Sequence, residues 1–267
     1  MFEDVLIIIR CAGERTEGLC RQMALAQGVP EENVIQVREA PFSEAMKRSF
    51  RVAIERNMKW TFCVDADVLL RPGSIARMMD FAAEQPENVC EIQGLVLCKF
   101  FGGPRPAGNH LYRTSLLKKV LHNIPAEGED IRPEAHTLDA MTAQGYPWTN
   151  IPYIVGLHDF EQYHKDIFRK CFVQAHKHEN FTDLFMEIWR KGSEEDQDFR
   201  VALAGFARGL EHCGPVFIDI RDQLFTHCLD TIGVVEKEPV VSENWSLDAV
   251  ETTIRDWRGP TIYKEKL

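Results

Sequence analysis

Surplus basic charge is missing from this 267-residue sequence: 31 Lys and Arg stand against 41 Asp and Glu, a net charge of -10. A broad nucleic-acid footprint needs clustered excess Lys and Arg, so nucleic acid is not an expected partner. Binding of a single nucleotide is not excluded, because a metal ion can neutralise a diphosphate locally. No stretch approaches eighteen consecutive apolar residues, so the pattern contains no membrane-spanning helix. The opening MFEDVLIIIR starts acidic, and its apolar run is too short for the core of a signal peptide; a cytoplasmic protein is expected. The eight cysteines contain no C-x-x-C pair, which removes the usual zinc spacing and leaves buried, reduced thiols as the expectation. P-loop, G-x-G-x-x-G and G-x-S-x-G motifs are also absent. The 45% hydrophobic and 27% charged content is that of an ordinary globular chain without repeats.

The apolar run Val5 to Ile9 has the pattern of a strand buried on both faces of a parallel sheet. A helix is expected from Glu14 to Gln27, a strand from Asn33 to Val37, and a helix from Phe42 to Asn57 with Ala45, Phe50, Ala53 and Ile54 near helical spacing. Trp60 to Val64 reads as the third strand, and Pro72-Gly73 opens a helical stretch through Ala83. Val89 to Phe100 reads as a long strand or strand pair, followed by a Gly/Pro-rich loop over residues 102–106. Helices are expected at Thr114 to His122 and Pro133 to Gln144, and a last strand from Trp148 ending near His158. This alternation predicts an α/β fold with a mostly parallel, Rossmann-like sheet and flanking helices over residues 1–160. Residues 161–267 read as a mostly helical C-terminal region, with a polar tail after Val234 that wraps the surface or docks on a partner chain.

Ligands of open α/β sheets bind outside the carboxyl ends of the strands. Asp65-Ala66-Asp67 stands at such an end, after the strand WTFCV and before apolar Val68-Leu69-Leu70. Two carboxylates there favour a hard divalent cation, which takes oxygen ligands and keeps positions open for phosphate.

This layout resembles the nucleotide-sugar glycosyltransferases of the GT-A fold, especially the family-two-like enzymes. The resemblance lies in VLIIIR with its turn to ERTEGL, the helix FSEAMKRSFRVAIERN, the block WTFCVDADVLLRPGSI, and PEAHTLDAMTAQGYPWTNIPYIVGLH, covering roughly residues 4 to 160. It implies that Asp65 contacts the ribose or base, and that Asp67 holds Mn²⁺ or Mg²⁺ on the diphosphate with His158 as a second ligand. Ala12, Gly13, Arg15 and Thr16 would lie along the nucleotide. The family's catalytic carboxylate falls at Glu134, the base that takes the acceptor proton in an inverting transfer. Where the family has two adjacent acids, this chain has Pro133-Glu134-Ala135-His136, so His136 competes for the role, and Glu129-Asp130 is a third option. Arg105, with His110 and Arg113, lies where a loop closes over the donor or contacts an acceptor phosphate.

The resemblance thus implies a metal-dependent glycosyltransferase that moves a sugar from a nucleoside diphosphate sugar to a saccharide, lipid-linked or protein acceptor. Two other readings stand beside it: a sugar-phosphate nucleotidyltransferase, and a non-catalytic nucleotide-sugar-binding or scaffold protein of the same fold. The amphipathic helix HKDIFRKCFVQAHKH has a basic polar face, which permits core packing, a homodimer through the helical region, or peripheral attachment at the inner membrane surface. Within the cluster HDFEQYH, His158 and His164 are six apart, which argues against a self-contained metal site on one helix.

Overall fold

A computed structural model describes residues 2–220, 225–240 and 245–258. Its strands are β1 (Val5–Cys11), β2 (Val34–Arg38), β3 (Trp60–Asp65), β4 (Val68–Leu70), β5 (Glu91–Cys98), β6 (Gly103–Pro106), β7 (Asn109–Arg113) and β8 (Trp148–His158). Its helices are α1 (Glu17–Leu25), α2 (Phe42–Arg56), α3 (Ser74–Ala83), α4 (Leu117–His122), α5 (Pro133–Ala143), α6 (His164–Lys177), α7 (Thr182–Gly192), α8 (Gln197–Glu211), α9 (Phe225–Ile232) and α10 (Leu247–Asp256). The described strands form one sheet in the order β2-β1-β3-β7-β5-β8-β4, with β6 paired to β5 off that path. β1 runs parallel to β2 and β3, and β5 runs parallel to β8, while β7 is inserted antiparallel between β3 and β5.

The run from Val5 to Ile9 is apolar throughout because helices cover both faces of β1. Val5, Ile7 and Ile9 point into a core with Leu19 and Met23 of α1, whereas Leu6 and Ile8 face Met46 and Phe50 of α2. That alternation is the period-2 signature of a strand in the middle of a three-layer sandwich. Three strands were hidden in the sequence. β4 is the apolar Val68–Leu70 directly after the paired aspartates, β6 occupies the stretch expected to be a loop, and β7 lies just before the expected helix at Thr114. Pro104 and Pro106 suit β6 because it pairs with β5 alone, so the missing N–H groups cost little.

The helical region has its own core of Phe168, Phe172, Phe185, Trp189 and Phe206. α8 reaches α6 closely at Gly205 and Gly209, where an added Cβ would lie 2.4 Å from the carbonyl oxygens of Phe168 and Phe172. The Trp189 indole N–H donates to the Phe100 carbonyl at 2.7 Å, fastening the helices to the segment that joins β5 and β6. Further along, α10 packs Val250 and Ile254 into the core beneath the sheet, and Arg71 holds Glu251 through two hydrogen bonds of 2.6 and 2.7 Å. The expected surface-wrapping tail is realised by α10; residues 259–267 lie outside the described residues. No helix among the described residues is long and apolar enough to cross a membrane. Six cysteines (11, 20, 63, 90, 98 and 171) are buried and free, as expected.

Candidate functional site

Strand register brings the functional side chains together. Arg10, near the end of β1, lies beside Asp65 at the end of β3, and His158 at the end of β8 lies beside both Val68 and Cys98. The Ala66 N–H donates to the Arg10 carbonyl at 3.0 Å, and the Asp65 N–H donates to the Gly108 carbonyl at 2.9 Å, so the Asp65-Ala66-Asp67 turn is clamped from both sides. Gly108 adopts φ of 62°, and a Cβ there would approach the Asp65 carboxylate and the His158 ring to 3.4 Å, so glycine is required. Over these strand ends opens a cavity of about 640 Å³, lined among others by Asp65, Asp67, Arg105, Glu134 and His158. α6, which the family resemblance does not cover, closes one wall with Lys170, Gln174 and Lys177.

Two charge networks organise the cavity. In the first, Arg10 donates to Asp65 at 2.8 Å and to Glu134 Oε1 at 2.6 Å, and His110 lies between Glu134 Oε1 at 3.0 Å and Glu91 at 2.9 Å. Burial alone would lower the His110 pKa, but the facing carboxylates Glu134 and Glu91 push it up to about 10. Burial alone would raise Glu134, but Arg10 and His110 outweigh it and hold the carboxyl well below its usual range. Because Oε1 takes both contacts, Oε2 is left without a partner among the described residues, on a side chain that lines the cavity.

His110 supplies a pH test. Its charged form is favoured by folding, so its contribution to stability is complete below pH about 6.5 and is lost as pH rises towards about 10. His110→Gln is therefore expected to cost stability in urea melts at neutral and mildly acidic pH, and to cost less as pH approaches 10. A cost that stays constant across that range would contradict the pairing.

The second network surrounds the aspartate expected to hold metal. Lys170 donates to Asp67 and to Asp159, while His158 faces Asp159 at 2.9 Å and Asp67 at 3.5 Å. Asp159 turns back towards these groups from the left-handed region, with φ of 68°. Burial opposes the charge on His158, but Asp159 and Asp67 push its pKa up to about 10. Cys98, His158 and Asp159 have ligand atoms within 4.8 Å of one another. As arranged, this set does not fit Mn²⁺ or Mg²⁺: Lys170 takes one oxygen of Asp67 and one of Asp159, the two ring nitrogens of His158 face the other oxygens, and a thiol is a soft ligand.

The structure gathers Ala12, Asp65, Asp67, Arg105, His110, Glu134 and His158 around the cavity, and leaves Gly13, Arg15, Thr16, Arg113, Glu129, Asp130 and His136 outside its lining. His136 is exposed and pairs with Asp130 at 3.0 Å. Two residues apart on α5, Glu134 and His136 differ by about 200° in direction, so only one can face the cavity. Thr16 is buried and donates to the Ala66 carbonyl at 2.8 Å, a structural tie between the β1–α1 turn and the aspartate turn. Arg15 pairs with Glu161 and donates to the Glu238 carbonyl. Gly13 lines an adjoining cavity of about 620 Å³, which shares Cys11, Ala12 and Glu14 with the first. Arg113 stacks on Trp60 at 4.5 Å and donates to the Val89 and Pro86 carbonyls, a packing role.

No family model and no curated protein matches the chain. Among solved structures, it is similar to a mannosyltransferase from Pyrobaculum calidifontis in complex with GDP-Man and Mn²⁺, at 12% identity over 86% of this chain and 79% of that one, with a TM-score of 0.43. It is similar to a glycosyltransferase involved in the glycosylation of the major capsid of PBCV-1, at 16% identity over 56% of this chain and 82% of that one, TM-score 0.40. A cytidylyltransferase from Leptospira borgpetersenii is similar at 14% identity over 72% of this chain and 95% of that one, TM-score 0.41.

Proposed function

We propose that the chain transfers a sugar from a nucleoside diphosphate sugar to a hydroxyl acceptor, with Glu134 as the base. The observation that carries this reading is the cavity at the strand ends, where the Asp65-Ala66-Asp67 turn meets a fixed carboxylate with one free oxygen. Its volume of about 640 Å³ suits a ligand of this size, and the adjoining cavity at Ala12 and Gly13 suits the nucleoside. Arg10 and His110 keep Glu134 ionised and aimed through Oε1, so that Oε2 takes the proton as the acceptor oxygen attacks the anomeric carbon. Charge building on the leaving diphosphate is met by cations of the wall, among them Arg169 and Lys170 on α6.

Nucleotidyl transfer is disfavoured by the turn after β1. There Glu14 accepts the Ala12 N–H at 2.7 Å, which consumes an amide that a triphosphate would need and sets a carboxylate in its path. Incubation with a panel of nucleotide sugars is expected to release a nucleoside diphosphate from one of them. Release of pyrophosphate from a nucleoside triphosphate and a sugar phosphate would overturn this reading in favour of nucleotidyl transfer.

A further inference from the structure

α6 carries two lysines along the cavity wall. Lys170 and Lys177 are seven residues apart, which places them on one helix face about two turns, roughly 10 Å, from each other. Lys170 is held by Asp67 and Asp159. Lys177 at the far end lines the cavity together with Arg105 of β6 and Arg132, which precedes α5. None of the three has a carboxylate partner among the described residues, and Arg105 Nε is buried with no hydrogen bond at all. The Arg105 guanidinium is braced against the Phe101 ring, 3.7 Å from its centroid. Burial, with Arg105 and Arg132 nearby, lowers the Lys177 pKa to about 8, and burial with the same cations holds His178 down to about 3. The local field is positive, opposed only in part by Glu134 and Asp65, in a protein whose net charge is -10.

We infer that Arg105, Arg132 and Lys177 form an anion subsite that holds a phosphate group on the acceptor, apart from the position of the donor's diphosphate. This rests on the donor reading above and adds the acceptor class to it. Two guanidiniums and an ammonium match a dianion, since Arg takes phosphate oxygens in pairs and Lys adds a point charge. A neutral acceptor would leave these three cations only partly compensated. The separation along α6 exceeds the span between the two phosphorus atoms of a diphosphate, so one diphosphate does not occupy both ends. Glu134 lines the same cavity, so that Oε2 meets the hydroxyl of a molecule anchored by its phosphate.

The test is calorimetric titration of the full chain with inorganic phosphate and with a hexose 6-phosphate, each with and without a saturating nucleoside diphosphate. Both probes are expected to bind the wild-type protein and to remain bound when the nucleoside diphosphate is present. Lys177→Met and Arg105→Gln are each expected to weaken phosphate about tenfold or more, the loss of a hydrogen bond to a charged group, while nucleoside diphosphate affinity is retained. Retention of that second affinity also shows that the variants are folded. The inference is overturned if the wild type binds neither probe, if both variants bind phosphate as the wild type does, or if the nucleoside diphosphate displaces it competitively. Absence of nucleoside diphosphate binding sinks the donor reading instead and leaves the phosphate arms interpretable.

Discussion

Glu134→Gln is expected to lower sugar transfer by about 10²- to 10⁴-fold, the usual contribution of a positioned general base, while nucleoside diphosphate binding is retained. The substitution keeps the side chain's shape and its place between Arg10 and His110 but removes the proton acceptor at Oε2. The pH profile carries a second signature. Arg10 and His110 depress the Glu134 pKa despite burial, so the carboxylate is already ionised over the ordinary working range. The wild-type rate is therefore expected to show no acid limb from this group until well below the usual carboxylate range. Wild-type turnover in the glutamine variant would place the base elsewhere.

The second large effect concerns Lys170. Its ammonium is the shared partner of Asp67 and Asp159, whose side chains are 7% and 6% exposed. Lys170→Met leaves two buried carboxylates facing each other, and breaking such a pair costs about 3–5 kcal/mol. In that variant the oxygens of Asp67 and Asp159 become available to a hard cation, so Mn²⁺ is expected to restore much of the lost stability. The wild-type protein is expected to gain little from the same metal. Equal stabilisation of both by Mn²⁺ would show that Lys170 does not hold the site.

Much of the fold was legible because buried strands announce themselves. Val5 to Ile9 is apolar on every residue and WTFCV on all but Thr61, and the polar side chains that follow them stand at strand ends by necessity. Asp65, Asp67 and His158 reached the cavity for that reason. β4 and β6 were hidden because three apolar residues, or a Gly/Pro stretch, carry no period long enough to read. Glu91 escaped notice, and His110 was noted only as part of a loop segment, because a polar residue inside a strand looks like a solvent-facing one until its partner strand is known; only the pairing of β5 with β7 brings them together. Lys170 and Lys177 sit on a helix whose pattern is that of any basic amphipathic segment, and nothing local marks two of its lysines as cavity-facing. His158 and Asp159 do not form a site on one helix with His164. They join Asp67 from another strand, while His164 turns to Asp198 at 3.3 Å.

Thermal unfolding with a panel of nucleoside diphosphates, each with Mn²⁺ and with chelator, tests the central claim most directly. A ligand that binds only the native state at about 100 times its Kd stabilises by about 2.7 kcal/mol, or roughly 5–10 °C in Tm for a chain of this size. A rise of that order with one nucleoside diphosphate, the same in chelator as in Mn²⁺, is the expected result. A rise seen only with metal would contradict the role given to Lys170. No rise with any nucleoside diphosphate would contradict the donor site itself.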